Sequence, residues 1–487
     1  MTTRRMRGFR RWMKIQGIDC SDALELIDEG EGGNDGVWVK ALCDLREGDL
    51  VATIPKQSCL TMKTSGARQL IDDAGLDGYL GLSVALMYEK SLGANSPWFA
   101  YLQILPQFEP IPLLWSFEEL HNLLSGTELH KIVVEDRALI NEDWKECIEP
   151  LLYSAIIHLN PDDFSVQQYL MAKSLIASRS FEIDDFHGFG MVPLADLFNH
   201  KTNAEDIHFT SVSSYCETDN DSEISDDESD ENDEPDKTTM DDGVNSKIAD
   251  SPAVLQLIIV KDVESGAEVF NTYGSMGNAA LLHRYGFTEA DNPYDIVNID
   301  LEQVIHWSSS LFSSRYIRTR IALWRKLDYS GSLAQSSDYF EISSDGEPEI
   351  ELLILLYMIS ISEEAYNDLD LRIANPGTSN KLTDRALLSK EHFILERGTE
   401  ISKKMLLTKP VRSALIAVAD FREDLYGSRS LDDDMKALDR CSRHVEERKL
   451  YHSLVLRTSE RKILRKLRAY ASAGNRSELK KKRRESH

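Results

Sequence analysis

Val192-Pro193-Leu194-Ala195-Asp196-Leu197-Phe198-Asn199-His200 is the stretch on which the reading of this chain turns. It gains meaning from a second stretch far downstream. That one runs Glu268-Val269-Phe270-Asn271-Thr272-Tyr273-Gly274 and closes at Tyr285-Gly286-Phe287. A third fragment, Arg179-Ser180-Phe181, stands just before the first. None of them is a glycine-rich phosphate loop, a spaced set of metal ligands or a nucleophile elbow. Taken singly, each residue has an ordinary reading. Tyr273-Gly274 is a turn, Arg179 a surface ion pair, Asn199-His200 a helix-end or turn pair and Asp196 a helix cap. Their joint occurrence and order are what the ordinary readings leave unexplained.

The rest of the chain bounds the answer. At 487 residues it has length for two or three domains with real cores. Its 42% hydrophobic and 8% aromatic content is that of a soluble globular protein. The longest apolar run, residues 350–359, is too short to span a bilayer, contains Glu351, and reads as a buried helix. The N-terminus carries Arg4, Arg5, Arg7, Arg10 and Arg11 without a following apolar stretch, so it does not read as a secretory signal. Six scattered cysteines, with no Cys-x-x-Cys pair, argue against a zinc cluster or a disulfide framework; no metal is expected. The formal charge is −27, and residues 217–236 alone hold twelve acids and no base. Such a surface repels phosphate and attracts basic protein.

Residues 36–61 alternate apolar and polar side chains between turn signals and read as short strands. From 65 to about 173 the leucines recur at helical spacing, a mainly helical insertion. Strand character returns at 183–191, 205–212 and 253–260. Between the last two, residues 213–251 combine low hydrophobicity with massed acid and read as a disordered loop, in which Ser225 suits an acid-directed kinase. Beyond residue 301 the pattern is helical, at 314–326, 349–362, 385–404, 410–423, 434–457 and 460–471. The chain closes on Lys480-Lys481-Lys482-Arg483-Arg484, either a solvated tail or a nuclear import signal.

The paired strings resemble the two halves of a SET-domain active site. The longer matches, together with Ser96-Pro97-Trp98 through Leu105-Pro106 and Trp115-Ser116-Phe117, resemble the Rubisco large-subunit methyltransferase class, and most of all its ribosomal-protein lysine methyltransferase branch. The resemblance covers nearly the whole chain. It implies an α+β fold: a split SET β fold over residues 18–290 with the helical insertion at about 65–173, then an all-α substrate-binding domain at 301–472 and a basic tail at 473–487. It also implies that two segments cross as a pseudoknot.

The chemistry so implied is methyl transfer from S-adenosylmethionine to a protein lysine. That is an in-line displacement requiring no metal and no covalent intermediate, and its demand is on alignment. A lysine amine has a pKa near ~10.4 in water, and a dry channel beside a sulfonium disfavours its charged form. Carried over by position, Asp35, Gly36 and Val37 contact the cofactor, Arg179 reaches its carboxylate, and Asn199 and His200 hold its adenine and amino-acid ends. Tyr273 is the implied catalytic tyrosine. Asp196 and Tyr285 line the lysine channel with it, and Phe287 packs at the cofactor. The class often carries a second glycine where this chain has Trp38, whose side chain is expected to point outward. The expected partner is a basic ribosomal or nuclear protein, a histone included, met by a monomer in nucleus or cytoplasm without nucleic acid or membrane. Two alternatives stay open: methylation of histidine by the same architecture, on which Asn271 bears, and a non-catalytic interaction protein.

Overall fold

The computed structural model describes residues 3–28, 36–153, 158–212, 253–325, 339–367, 403–441 and 447–485. The loop expected at 213–251 and residues 385–402 of the helix expected at 385–404 therefore lie outside the described residues, as does Asp35. The chain divides into two units. The first comprises Met1–Pro106, Leu151–Ser165 and Arg179–Thr272; the second comprises Gln107–Pro150, Val166–Ser178 and Tyr273–His487.

The first unit opens with helix α1 (Arg4–Ile15). Thr3 caps it, its hydroxyl accepting from the Met6 N–H at 3.2 Å. Met6, Phe9, Trp12 and Met13, three and four residues apart, form its buried face. Arg5 grips Asp28 through two nitrogens at 2.9 and 2.6 Å. The arginine-rich start of the chain is thus one face of a docked helix. The strands that follow are β1 (Asp19–Cys20), β2 (Leu24–Asp28), β3 (Val37–Ala41), β4 (Leu50–Pro55) and β5 (Leu60–Thr61). After helices α2 (Arg68–Asp73), α3 (Gly78–Ser91) and α4 (Phe99–Leu102), strands resume as β6 (Ser180–Asp184), β7 (Gly188–Met191), β8 (Ile207–Val212) and β9 (Val254–Ile259). They form antiparallel sheets in the orders β1-β4-β9-β8, β5-β7-β6 and β2-β3. In β9 the period-2 pattern is plain: Leu255, Leu257 and Ile259 are buried and alternate with half-buried residues. Buried Glu89 of α3 accepts from the Ser65 hydroxyl, the Gly66 N–H and the Ser96 hydroxyl at 2.8, 2.9 and 2.7 Å, so both its carboxyl oxygens are partnered.

The second unit begins with α5 (Phe117–Leu124), started by a reciprocal capping box between Ser116 and Glu119. It continues through α6 (Glu128–Asp143) and α7 (Val166–Arg179), whose last residue belongs to the first unit. Then come α8 (Asn278–Tyr285), β10 (Val297–Asp300), α9 (Leu301–Ser309), α10 (Ser314–Trp324), β11 (Tyr339–Ile342) and α11 (Ile350–Ser360). Helices Lys403–Leu406, Lys409–Asp424, Leu431–Arg440 and Arg448–Glu485 complete it. The apolar run read as a buried helix is α11, apolar on all sides and buried among α10, the ladder of β10 with β11, and Lys409–Asp424. Leu120, Leu124, Leu129 and Val133 pack with Leu282 and Leu456, which is why much of the stretch read as an insertion clusters with the C-terminal helices.

Three helix boundaries differ from the periodicity. The helix expected at 434–457 is instead Leu431–Arg440 and the start of Arg448–Glu485. The break expected near 458 is absent: Arg448–Glu485 is one helix, and the Thr458 hydroxyl bonds back to the Leu454 carbonyl at 2.7 Å, which lets a Thr-Ser pair sit inside it. The same helix carries the backbone through the expected tail as far as Glu485. Among the described residues no helix is long and apolar enough to cross a membrane.

Candidate functional site

The first unit brings the two decisive segments side by side. The Val269 N–H donates to the Val39 carbonyl at 2.9 Å, and Lys40 bridges Glu268, so this segment runs along β3. Farther on, the Asn271 N–H donates to the Asn199 carbonyl at 2.8 Å, and Asn271 accepts from the Lys201 N–H at 3.2 Å, a parallel bridge centred on His200. The Asn199 amide reinforces it by donating to Glu268 at 2.7 Å. His200 is buried, with Nε2 3.1 Å from the Thr202 hydroxyl. Asn199 and His200 therefore tie the two strings together.

The turn before Asn199 is unusual. Leu194, a fully buried leucine, has φ +77° and ψ −46°, a conformation that branched side chains avoid. The Asp196 N–H returns to the Val192 carbonyl at 3.2 Å and the Leu197 N–H to the Leu194 carbonyl at 3.2 Å, closing the turn. Asp196 is not a helix cap. Its buried carboxylate accepts from the Tyr101 hydroxyl at 2.8 Å, and its carbonyl accepts from the Arg179 guanidinium at 2.9 Å. The same guanidinium lies 3.7 Å from the Asp196 carboxylate. Burial, with the Asp196 charge second, holds the Tyr101 hydroxyl well above its ordinary pKa, so it stays a donor. The Tyr101 ring also packs against Phe9 and Trp12, at 6.1 and 6.2 Å between ring centres.

Gly36 has φ +67°, a left-handed turn that a glycine makes freely, and delivers Val37 buried into β3. Trp38 is half-buried and, by the alternation of β3, projects from the face opposite Val37 and Val39. Phe181, one of the quoted residues, stacks on Phe209 at 5.1 Å.

The border between the units falls on the Thr272–Tyr273 peptide. In the second unit the Tyr273 and Tyr285 rings stand 4.4 Å apart, tilted by 30°, and Phe287 lies 6.2 Å from Tyr285. All three are half-buried. Tyr285 ends α8, and Gly286 closes that helix at φ +76°. A Cβ there would lie 3.3 Å from the Pro110 backbone, so both conformation and space call for glycine. The site residues thus fall into three groups: Arg179 with Asp196, Asn199 and His200 with Glu268 and Asn271, and the ring cluster of Tyr273, Tyr285 and Phe287. Sequence reasoning gave no role to Tyr101 or Glu268. Both stand within quoted motifs, but only their hydrogen bonds say what they hold.

No protein-family model matches the chain. It is 24% identical to ribosomal lysine N-methyltransferase 3 of Saccharomyces cerevisiae, over 78% of this chain and 86% of that protein. It is also 24% identical to N-lysine methyltransferase setd6 of Danio rerio, over 95% of this chain and 94% of that one. Among solved structures it resembles the SET domain of LSMT bound to lysine and AdoHcy (TM-score 0.64, 18% identity, covering 97% of this chain and 91% of that one). It likewise resembles Rubisco LSMT bound to AdoMet (TM-score 0.62, 17% identity, covering 97% and 92%). The fold is that of these SET-domain structures.

Proposed function

We propose that this chain is a protein-lysine N-methyltransferase that uses S-adenosylmethionine. The observation that carries the reading is the half-buried, tilted ring pair of Tyr273 and Tyr285. The similar proteins named as lysine methyltransferases, and the similar structures with AdoMet, AdoHcy or lysine bound, support it.

The residues present suit such a cofactor. Arg179 is a partly exposed guanidinium of the kind that recognises a carboxylate. The electron-rich faces of Tyr273, Tyr285 and Phe287 suit a cation such as a sulfonium. Bound S-adenosylmethionine supplies the methyl group. The protein's part is to hold the lysine amine in line and to keep water away. The Tyr273 hydroxyl is suited to orient the amine, which loses its proton before attack and another after it. The tyrosine rings form rigid walls beside the amine, and the like charge of the sulfonium disfavours its ammonium form. Asp196, held by Tyr101, is assigned to the lysine side.

The substrate class we infer is a basic ribosomal or nuclear protein, because the chain carries a formal charge of −27. The basic run at Lys480–Arg484 favours a nuclear as well as a cytoplasmic location. The test is labelled-methyl transfer from S-adenosylmethionine into nuclear and ribosomal extracts by wild type and Tyr273→Phe. Labelled bands that fade in the variant are expected, with methyl-lysine in the product by mass spectrometry. Methyl-histidine would move the reading to the alternative acceptor. Absence of both transfer and cofactor binding would leave an interaction protein.

A further inference from the structure

Helix α8 carries Tyr285 in its last turn, and both of its ends are tied to the helix Arg448–Glu485. At its start Asn278 is fully buried and donates its N–H to Asp295 at 2.6 Å and its side-chain amide to the same carboxylate at 2.8 Å. Asp295 in turn accepts from the Ser459 hydroxyl. Asn278 also binds both backbone groups of Glu289, at 2.7 and 2.9 Å, so helix start and following loop are one unit. At the other end, past Gly286 and Phe287, the Thr288 N–H and hydroxyl meet Nδ1 of His452 at 3.0 and 2.9 Å. A backbone N–H can only donate, so this Nδ1 is the acceptor of a neutral imidazole.

His452, Val455, Ser459 and Lys462 follow one another at three- and four-residue steps and so share one face of their helix. Lys462 approaches Asp291 at 3.9 Å. A cleft of about 290 Å³ lies between the loop and this helix, lined by Asp291, Asp295, Tyr451, Ser459 and Lys466 among others. The polar links therefore flank this cleft, beside the apolar contact that Leu282 of α8 makes with Leu456.

We propose that His452 and Ser459 are positioning residues for methyl transfer: from the C-terminal helix they set the place of Tyr285 and, through the ring stack, that of Tyr273. The proposal rests on the methyltransferase reading above. Alignment is the main demand of this reaction, and a displacement of about 1 Å costs on the order of 100-fold in rate. Neither residue stands in the motifs that carry the chemistry.

The test compares wild type with His452→Leu, which removes the acceptor, and His452→Asn, whose Oδ1 stands where Nδ1 stood. The expected result is a kcat about tenfold or more lower in His452→Leu, unchanged S-adenosylmethionine affinity, and recovery of most of the loss in His452→Asn. Amide exchange of the 286–290 backbone should speed up in the leucine variant alone. Ser459→Ala, which removes one oxygen, carries the same test should the leucine variant fail to fold. A wild-type kcat in His452→Leu, or an asparagine variant as slow as the leucine one, would overturn the proposal. Wild-type protein that binds no S-adenosylmethionine would instead sink the methyltransferase reading, and the positioning role with it, whatever the exchange data show of the clamp.

Discussion

Tyr101 and Asp196 stand 95 positions apart, and the hydrogen bond between them is the polar anchor of the turn that presents Asn199 and His200. That turn stores strain at Leu194, about 1–2 kcal/mol for a side-chain-bearing residue in a left-handed conformation. It persists because its surroundings over-determine it: the Leu194 side chain is fully buried, Arg179 holds the Asp196 carbonyl and Tyr101 holds the Asp196 carboxylate. Tyr101→Phe keeps the ring stack with Phe9 and Trp12 and deletes only the donor. A buried bond to a charged acceptor contributes about 1.5–3 kcal/mol, so the variant is expected to lose about 2 kcal/mol in urea unfolding and to weaken methyl transfer. A loss near zero would mean that the turn stands without Tyr101. Asp196 illustrates the limit of sequence at this scale. An acid before Leu197-Phe198 suggests a cap, and only the fold shows that a distant tyrosine is its partner.

At the scale of elements, the C-terminal helices are joined through buried charge. Arg422 of Lys409–Asp424 donates to the Asn298 carbonyl at 3.1 Å and lies 3.8 Å from Glu460 of the last helix, which the Tyr426 hydroxyl also reaches. Burial pushes the Glu460 carboxyl up to about 7, with the Arg422 charge opposing it. Its unfolded value is near ~4.5. Between those pH values the folded protein keeps a proton that the unfolded chain releases, so stability falls as pH rises and levels off above 7. The full effect is on the order of 3 kcal/mol. Glu460→Gln, measured beside wild type at pH 5 and pH 8, is expected to gain on wild type at the higher pH. A difference independent of pH would contradict the assignment. Such links explain what was legible at this scale. Periodicity located α10, α11 and Lys409–Asp424 closely, because amphipathic and apolar stripes are local patterns. It mistook Thr458-Ser459 for a break, since a hydroxyl bonding back to its own helix leaves no mark in the pattern. The stripe of His452, Val455 and Ser459 was not readable as one face, because the expected break falls inside it; only the unbroken helix turns these residues to the loop after Tyr285.

At the scale of the molecule the governing quantity is charge. The chain is strongly acidic, and the twelve acids of residues 217–236 make up a large part of its excess. A field of one sign raises the encounter rate of an oppositely charged partner by roughly 10–1,000-fold. It does so only while the solvent does not screen it, and the screening length is about 10 Å at 0.1 M salt and about 3 Å at 1 M. S-adenosylmethionine carries a single net positive charge, against the many of a basic protein, and is recognised at close range. The two substrates should therefore respond differently to salt. For a lysine-rich protein substrate, kcat/KM is expected to fall about tenfold or more between 50 and 500 mM salt, with S-adenosylmethionine affinity nearly constant. Replacing the acids of 217–236 by asparagine and glutamine should flatten that dependence by slowing the reaction at low salt and leaving it unchanged at high salt. A rate indifferent to salt would show that the substrate is chosen by shape and apolar contact instead, and the inference of a basic target would fall while the chemistry at Tyr273 stood.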